Sequence, residues 1–133
     1  MAFGTDEHTV LTAAIASHLS EAGHAVEVLA DPAPWPDVGR VVGEAVAAGR
    51  ADRGVVCCWT GTGVSIAANK VPGVRAALCV DAETARGARR WNDANVVALS
   101  LRLTSDAVAE EILEAFLATD PDASEADTIS RLG

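Results

Sequence analysis

Residues 57 to 70 read CCWTGTGVSIAANK, placing two thiols, two glycines and three hydroxyl side chains where an apolar strand gives way to a helix. Side chains alternate across a strand, so Cys57 and Cys58 face opposite ways, with Cys57 assigned to the core. Two readings of Cys58 stay open. Next to the N-H groups that begin the following helix its thiolate is favoured, which suits a proton-transfer base; equally, a small residue there simply closes the strand. Gly61 and Gly63 let the backbone approach a ligand closely, and the helix start offers unsatisfied donors to an anion or oxyanion, although a tight turn asks for the same glycines. No Gly-Lys-Ser/Thr follows, and Ile66 stands where a dinucleotide fingerprint needs a small residue, so neither nucleotide loop fits. Cys79, at the end of the next apolar run, is assigned to the core.

The elements that must position this loop are legible as a repeat of strand and helix. Apolar runs at 25–29, 54–58, 75–79 and 95–99, with MAFG before them giving a strand at about 2–4, alternate with segments of helical period. Runs that are apolar at nearly every position belong to strands covered on both faces, which predicts an α/β fold: a three-layer α/β/α sandwich around a five-stranded parallel sheet. Such sheets bind ligands beyond the carboxyl ends of their strands. That edge collects Thr5, Asp6, Glu7 and His8, then Cys58 to Ser65, Val80 and Asp81, and finally Ser100 to Arg102. The proline-rich DPAPWPD (31–37) reads as a loop. Arg86, Arg89 and Arg90 read as a solvated helix face, Asn92 as a helix-end cap or ligand contact, and His18 and His24 as surface or satisfied positions.

With 133 residues the chain makes one domain, assigned to 1–120, followed by an acidic tail over 121–133 that is disordered or orders on a partner. No apolar run nears the roughly 20 residues of a membrane helix. The net charge of -9 argues against nucleic acid and anionic membrane as partners, leaving a small molecule. Three cysteines without CxxC or Cys/His spacing imply free thiols and no metal site. An amino terminus that opens directly on a strand points to a cytoplasmic protein without a leader.

GVVCCWTGTGVSIAANKVPGVRAALCVDAETAR, followed by WNDANVVALSLR, resembles the ribose-5-phosphate isomerase type B and galactose-6-phosphate isomerase (RpiB/LacAB) family across residues 2 to about 118. The resemblance implies aldose-ketose isomerisation of a sugar phosphate through a cis-enediolate without cofactor or metal, in a homodimer or dimer of dimers whose sites lie between subunits. It implies Cys58 as the base moving a proton between C1 and C2, with Thr60, Gly61, Thr62, Gly63 and Ser65 in the loop that holds the enediolate oxygen. Asp6, Asn92 and Arg102 match ligand-contacting positions, which sets the 60–65 loop beside Asp6 and Asn92.

The recognition shell departs from the family pattern. Glu7 stands at a histidine position with His8 one place later. Trp59 replaces a glycine, Trp35 a tyrosine, and Trp91 the histidine assigned to opening the sugar ring, leaving that step to another group such as His8 or to a substrate already open. A tail His-x-Arg-Arg element is missing, with Arg131 the only basic residue there. These departures imply a substrate other than ribose 5-phosphate, or weaker binding of it, down to an unphosphorylated sugar or carbonyl compound, or a catalytically silent binder on the same fold.

Overall fold

The computed structural model describes residues 1–133. Five strands, β1 (Ala2–Thr5), β2 (Glu27–Ala30), β3 (Gly54–Cys58), β4 (Ala76–Leu78) and β5 (Val96–Ser100), alternate with α1 (Val10–Glu21), α2 (Trp35–Ala47), α3 (Thr62–Asn69), α4 (Ala82–Asn92) and α5 (Asp106–Ala118). All pairings are parallel, in the order β2-β1-β3-β5-β4.

The alternation across β3 sorts the core into two layers. Val55 and Cys57 face Ile15, Leu19, Ile112 and Phe116 of α1 and α5, while Val56 and Cys58 face Val38, Val42 and Val64 of α2 and α3. The three-layer sandwich expected from the apolar runs is therefore present. Its edge strands are less buried than those runs suggest. Glu27 and Val28 of β2 are exposed, and β2 begins two residues after the start of its apolar run, because an edge strand pairs on one side only and leaves its outer edge open to solvent. β4 is three half-buried residues.

Two further expectations are corrected. DPAPWPD is not all loop: Trp35, Pro36 and Asp37 form the first turn of α2, where a proline without N-H sits comfortably. Arg89 does not lie on a solvated face. It is 4 % exposed, donating to the carbonyls of Ala94 (2.6 Å) and Thr119 (3.0 Å) and pairing with Asp93 at 2.8 Å. Arg89 thus ties the end of α4 to the end of α5. The segment after Pro121 forms a 3-10 turn (Ala123–Glu125) and a short helix, α6 (Ala126–Ser130), anchored where the Asp122 N-H donates to the Arg90 carbonyl. No helix is long and apolar enough to cross a membrane.

Candidate active site

β1 is followed by a helix on one face of the sheet and its neighbour β3 by a helix on the other, so the strand order reverses between them, at the switch point where folds of this kind place a ligand crevice. Asp6 lies at the tip of β1, its N-H donating to the Cys57 carbonyl at 3.1 Å, which places it against the start of the 58–65 loop. Its Oδ1 is buried without any hydrogen-bond partner. Burial, reinforced by the charge of Glu7, holds the Asp6 carboxyl above its ordinary range. A buried carboxylate oxygen with nothing to accept from is costly, and Asp6 Oδ1 is the one such side-chain atom in the protein.

The three thiols separate by setting. Cys57 is enclosed and burial pushes it far above the usual thiol range, while burial and Asp81 push Cys79 up to about 11. Both stay protonated near neutral pH. Cys58 is 5 % exposed and looks toward the valines of α2 and α3 at the very end of its strand.

Gly61 caps α3 with φ +76°, a left-handed backbone that favours glycine. A Cβ on it would lie 2.6 Å from Leu78 Cδ1 and 3.0 Å from the Leu99 and Ser100 backbone, so the loop lies flat on β5. Gly63 is roofed by the Trp35 ring, 2.9 Å from where its Cβ would stand. Of the five helices that start at this edge, α1, α4 and α5 are capped by Thr9, Asp81 and Ser105 and α2 carries Pro36, whereas α3 has neither device. Its first N-H groups therefore have no side-chain partner. Thr60 and Thr62, both exposed, share a hydrogen bond of 2.7 Å between hydroxyls, and Ser65 lies one turn on, half-buried. Gly61→Ala is expected to destabilise the protein by about 2 to 4 kcal/mol, from the left-handed backbone and the overpacking together; a denaturation midpoint unchanged from the parent would contradict that geometry.

The remaining edge residues follow in register. The N-H of Leu101 donates to Cys58 O and that of Arg102 to Trp59 O, so exposed Arg102 and 57 % exposed Trp59 stand side by side. Glu7 and His8 are exposed, and His8 Nδ1 lies 2.9 Å from Asp31 Oδ1. Asp31 and the roofing role of Trp35 were not apparent in the sequence, although Asp31 follows β2 as Asp6 follows β1; both lie in DPAPWPD, and only the fold brings that segment to His8 and Gly63. His18 pairs with Asp106 at 3.0 Å, which raises its pKa, and takes no part here.

Asn92 and Trp91 are the exception, and the expectation that Asn92 stands beside the loop is corrected. α4 runs antiparallel to the strands, and its 11 residues carry the chain about 16 Å back from the carboxyl edge. Both residues are exposed near the amino end of the sheet, where the Asn95 side chain meets Gly73 and Arg75 at the start of β4. Trp91 covers Gly87 on the side of α4 that borders β4, where it shares a cavity with Ala77 and Leu78. No three His, Cys, Asp or Glu side chains converge as metal ligands would.

The profile of a family described as Ribose/Galactose Isomerase matches residues 1–132. Galactose-6-phosphate isomerase subunit LacB of Clostridium acetobutylicum is 47 % identical over 83 residues, which are 62 % of this chain and 48 % of that protein, so the match spans about half of that subunit's length. Ribose-5-phosphate isomerase B of Escherichia coli is 39 % identical over 125 residues, 88 % of this chain and 82 % of that one. The structure of ribose-5-phosphate isomerase B from Clostridium thermocellum superimposes with a TM-score of 0.91 at 37 % identity, covering 100 % of this chain and 95 % of the other.

Proposed function

The chain belongs to the ribose/galactose isomerase family, and on that footing we propose that it is a cofactor-independent aldose-ketose isomerase acting on a sugar phosphate. The relatives are named for ribose 5-phosphate and galactose 6-phosphate, which favours a phosphorylated substrate over the unphosphorylated one suggested by the altered recognition shell. The observation that carries the reading is the switch point between β1 and β3, where an unpartnered carboxylate oxygen, a strand-end thiol and an uncapped helix come to the same edge of the sheet.

In this reading the Cys58 thiolate takes the proton from C2 of the open aldose, the electron pair moves to the carbonyl, and the enediolate oxygen is held by the first N-H groups of α3 with the Thr60 and Thr62 hydroxyls. The proton on O2 then passes to O1, the O2 electron pair forms the new carbonyl at C2, and the double-bond pair takes the proton back from Cys58 at C1, giving the ketose. Asp6 accepts from a sugar hydroxyl through the oxygen that has no other partner. Arg102 and Trp59 border the crevice on the β5 side, with Glu7 and His8 on the β1 side.

A second copy of the chain completes the site. Trp91 and Asn92 lie at the wrong end of the sheet to reach Cys58 within one chain, so the role that the family pattern gives them needs a homodimer, or a dimer of dimers, that brings one protomer's α4 end to its partner's crevice. Three buried free cysteines suit a reducing cytoplasm. Incubation in deuterium oxide with ribose, allose and galactose phosphates beside the free sugars tests the reading. Exchange at C2 is expected with at least one sugar phosphate, at kcat/KM of about 10⁴ M⁻¹s⁻¹ or more, the lower end of ordinary enzymes. Exchange confined to the free sugars would overturn the substrate class, and none with any carbonyl sugar would overturn the isomerase reading.

A further inference from the structure

We propose that His8, held by Asp31, is the proton carrier that opens the sugar ring before isomerisation, a step Trp91 cannot perform. The inference rests on the isomerase reading above.

A pentose phosphate is mostly cyclic, and only its open form presents a C2 proton beside a carbonyl, so a proton must reach the ring oxygen first. The family pattern places a histidine at position 91, whereas this chain has an indole, which donates but cannot exchange a proton. Among the three histidines, His18 is paired with Asp106 across α1 and α5, and His24 follows the end of α1, at the amino side of the sheet. His8 alone is on the ligand edge.

Its setting is that of a working imidazole. Nδ1 lies 2.9 Å and 3.0 Å from the two oxygens of Asp31, which fixes the N-H on that nitrogen and leaves Nε2 without a protein partner. The ring is 61 % exposed and Asp31 22 %. The segment that carries Asp31 also reaches the catalytic loop: the Ala33 N-H donates to Thr5 O at 3.3 Å, and Trp35, four residues after Asp31, lies over Gly63. One loop therefore touches both His8 and the turn after Cys58. The charged group in contact with His8 is Asp31, from the β2 side, and the two residues before it in its own loop, Asp6 and Glu7, are also acidic.

In the step, protonated Nε2 gives its proton to the ring oxygen as the bond between that oxygen and C1 breaks. The anomeric hydroxyl loses its proton to water, its electron pair forming the carbonyl, and neutral Nε2 recovers a proton from water. Nothing is consumed, and the open aldose is left for Cys58.

The experiment compares two aldose phosphates. Ribose 5-phosphate closes to a furanose, whereas erythrose 4-phosphate cannot, because its O4 carries the phosphate. For His8→Gln and His8→Ala the loss in kcat/KM on ribose 5-phosphate is expected to exceed the loss on erythrose 4-phosphate by at least tenfold, the low end of general acid catalysis being about a hundredfold. Asp31→Asn should bias the two substrates the same way by a smaller factor, and added imidazole should restore part of the ribose 5-phosphate activity of His8→Ala. Equal losses on both substrates would make His8 a binding or structural residue and overturn the proposal, as would no loss on either. A parent protein active on erythrose 4-phosphate alone would also overturn it, since no ring would then be opened. A parent that exchanges protons with neither would overturn the proposal as well, and the isomerase reading with it only if the allose and galactose phosphates and the free sugars are inert too.

Discussion

Cys58→Ala is expected to lower proton exchange into substrate by three orders of magnitude or more, while Cys57→Ala keeps activity within a few-fold of the parent. The two residues are neighbours in one strand with the same chemistry, so the contrast isolates position. Cys57 is sealed between the sheet and α1, α4 and α5, and its raised pKa leaves no thiolate at neutral pH. Its replacement removes one buried sulfur, costing about 1 kcal/mol of stability and little else. Cys58 points to the other face and ends the strand where the uncapped start of α3 begins four residues on. A positioned base contributes about 10² to 10⁴ in rate, and here no second thiol or histidine on the loop stands in for it. Exchange measured by deuterium incorporation reads the base directly, even where net turnover is slow. If the two variants lost activity to the same extent, Cys58 would be a packing residue like its neighbour and the base would have to be sought elsewhere in the crevice.

How far the site could be read in advance depended on whether neighbouring residues or the whole topology decided it. β3 and β5 are covered on both faces, so an unbroken apolar run marks them to within a residue. β2, with its outer edge open, carries exposed Glu27 and Val28, and the run that stands for it is offset; Asp31 lies in the loop beyond it, and only the pairing of β2 with β1 brings it to His8, 23 residues away in the chain. The glycines of the loop were legible as a close approach, but what approaches Gly63 is Trp35 from another loop. Arg89 looked solvated because Arg86 and Arg90 flank it, yet a helix turns 100° per residue, and only Arg89 points at the carbonyls of Ala94 and Thr119. Asn92 is the instructive case. A helix between two parallel strands must return the chain to the amino edge, so its last residue cannot stand beside a carboxyl-edge loop of the same subunit, however well the motif matches.

That constraint leads to the second large effect. If one protomer lends Trp91 and Asn92 to its partner's crevice, Cys58→Ala and Asn92→Ala each inactivate both sites of a homodimer, because every site contains one residue from each chain. Mixing the two inactive proteins and allowing subunits to exchange changes the count. Half of the dimers are then hybrids, and each hybrid has one site carrying both substitutions and one site carrying neither. Activity is expected to return to about a quarter of the parent's, the statistical limit for a two-fold pair in which each site draws on both chains. The exposure of Trp91, at 56 %, and of Asn92 makes the Asn92 variant a mild one for the isolated fold, so a failure to recover cannot be put down to unfolding. Were the mixture to stay inactive after exchange was verified by a tagged subunit, Asn92 would not act across the interface. Recovery would place the two ends of one sheet in a single active centre, which the monomer's own geometry forbids.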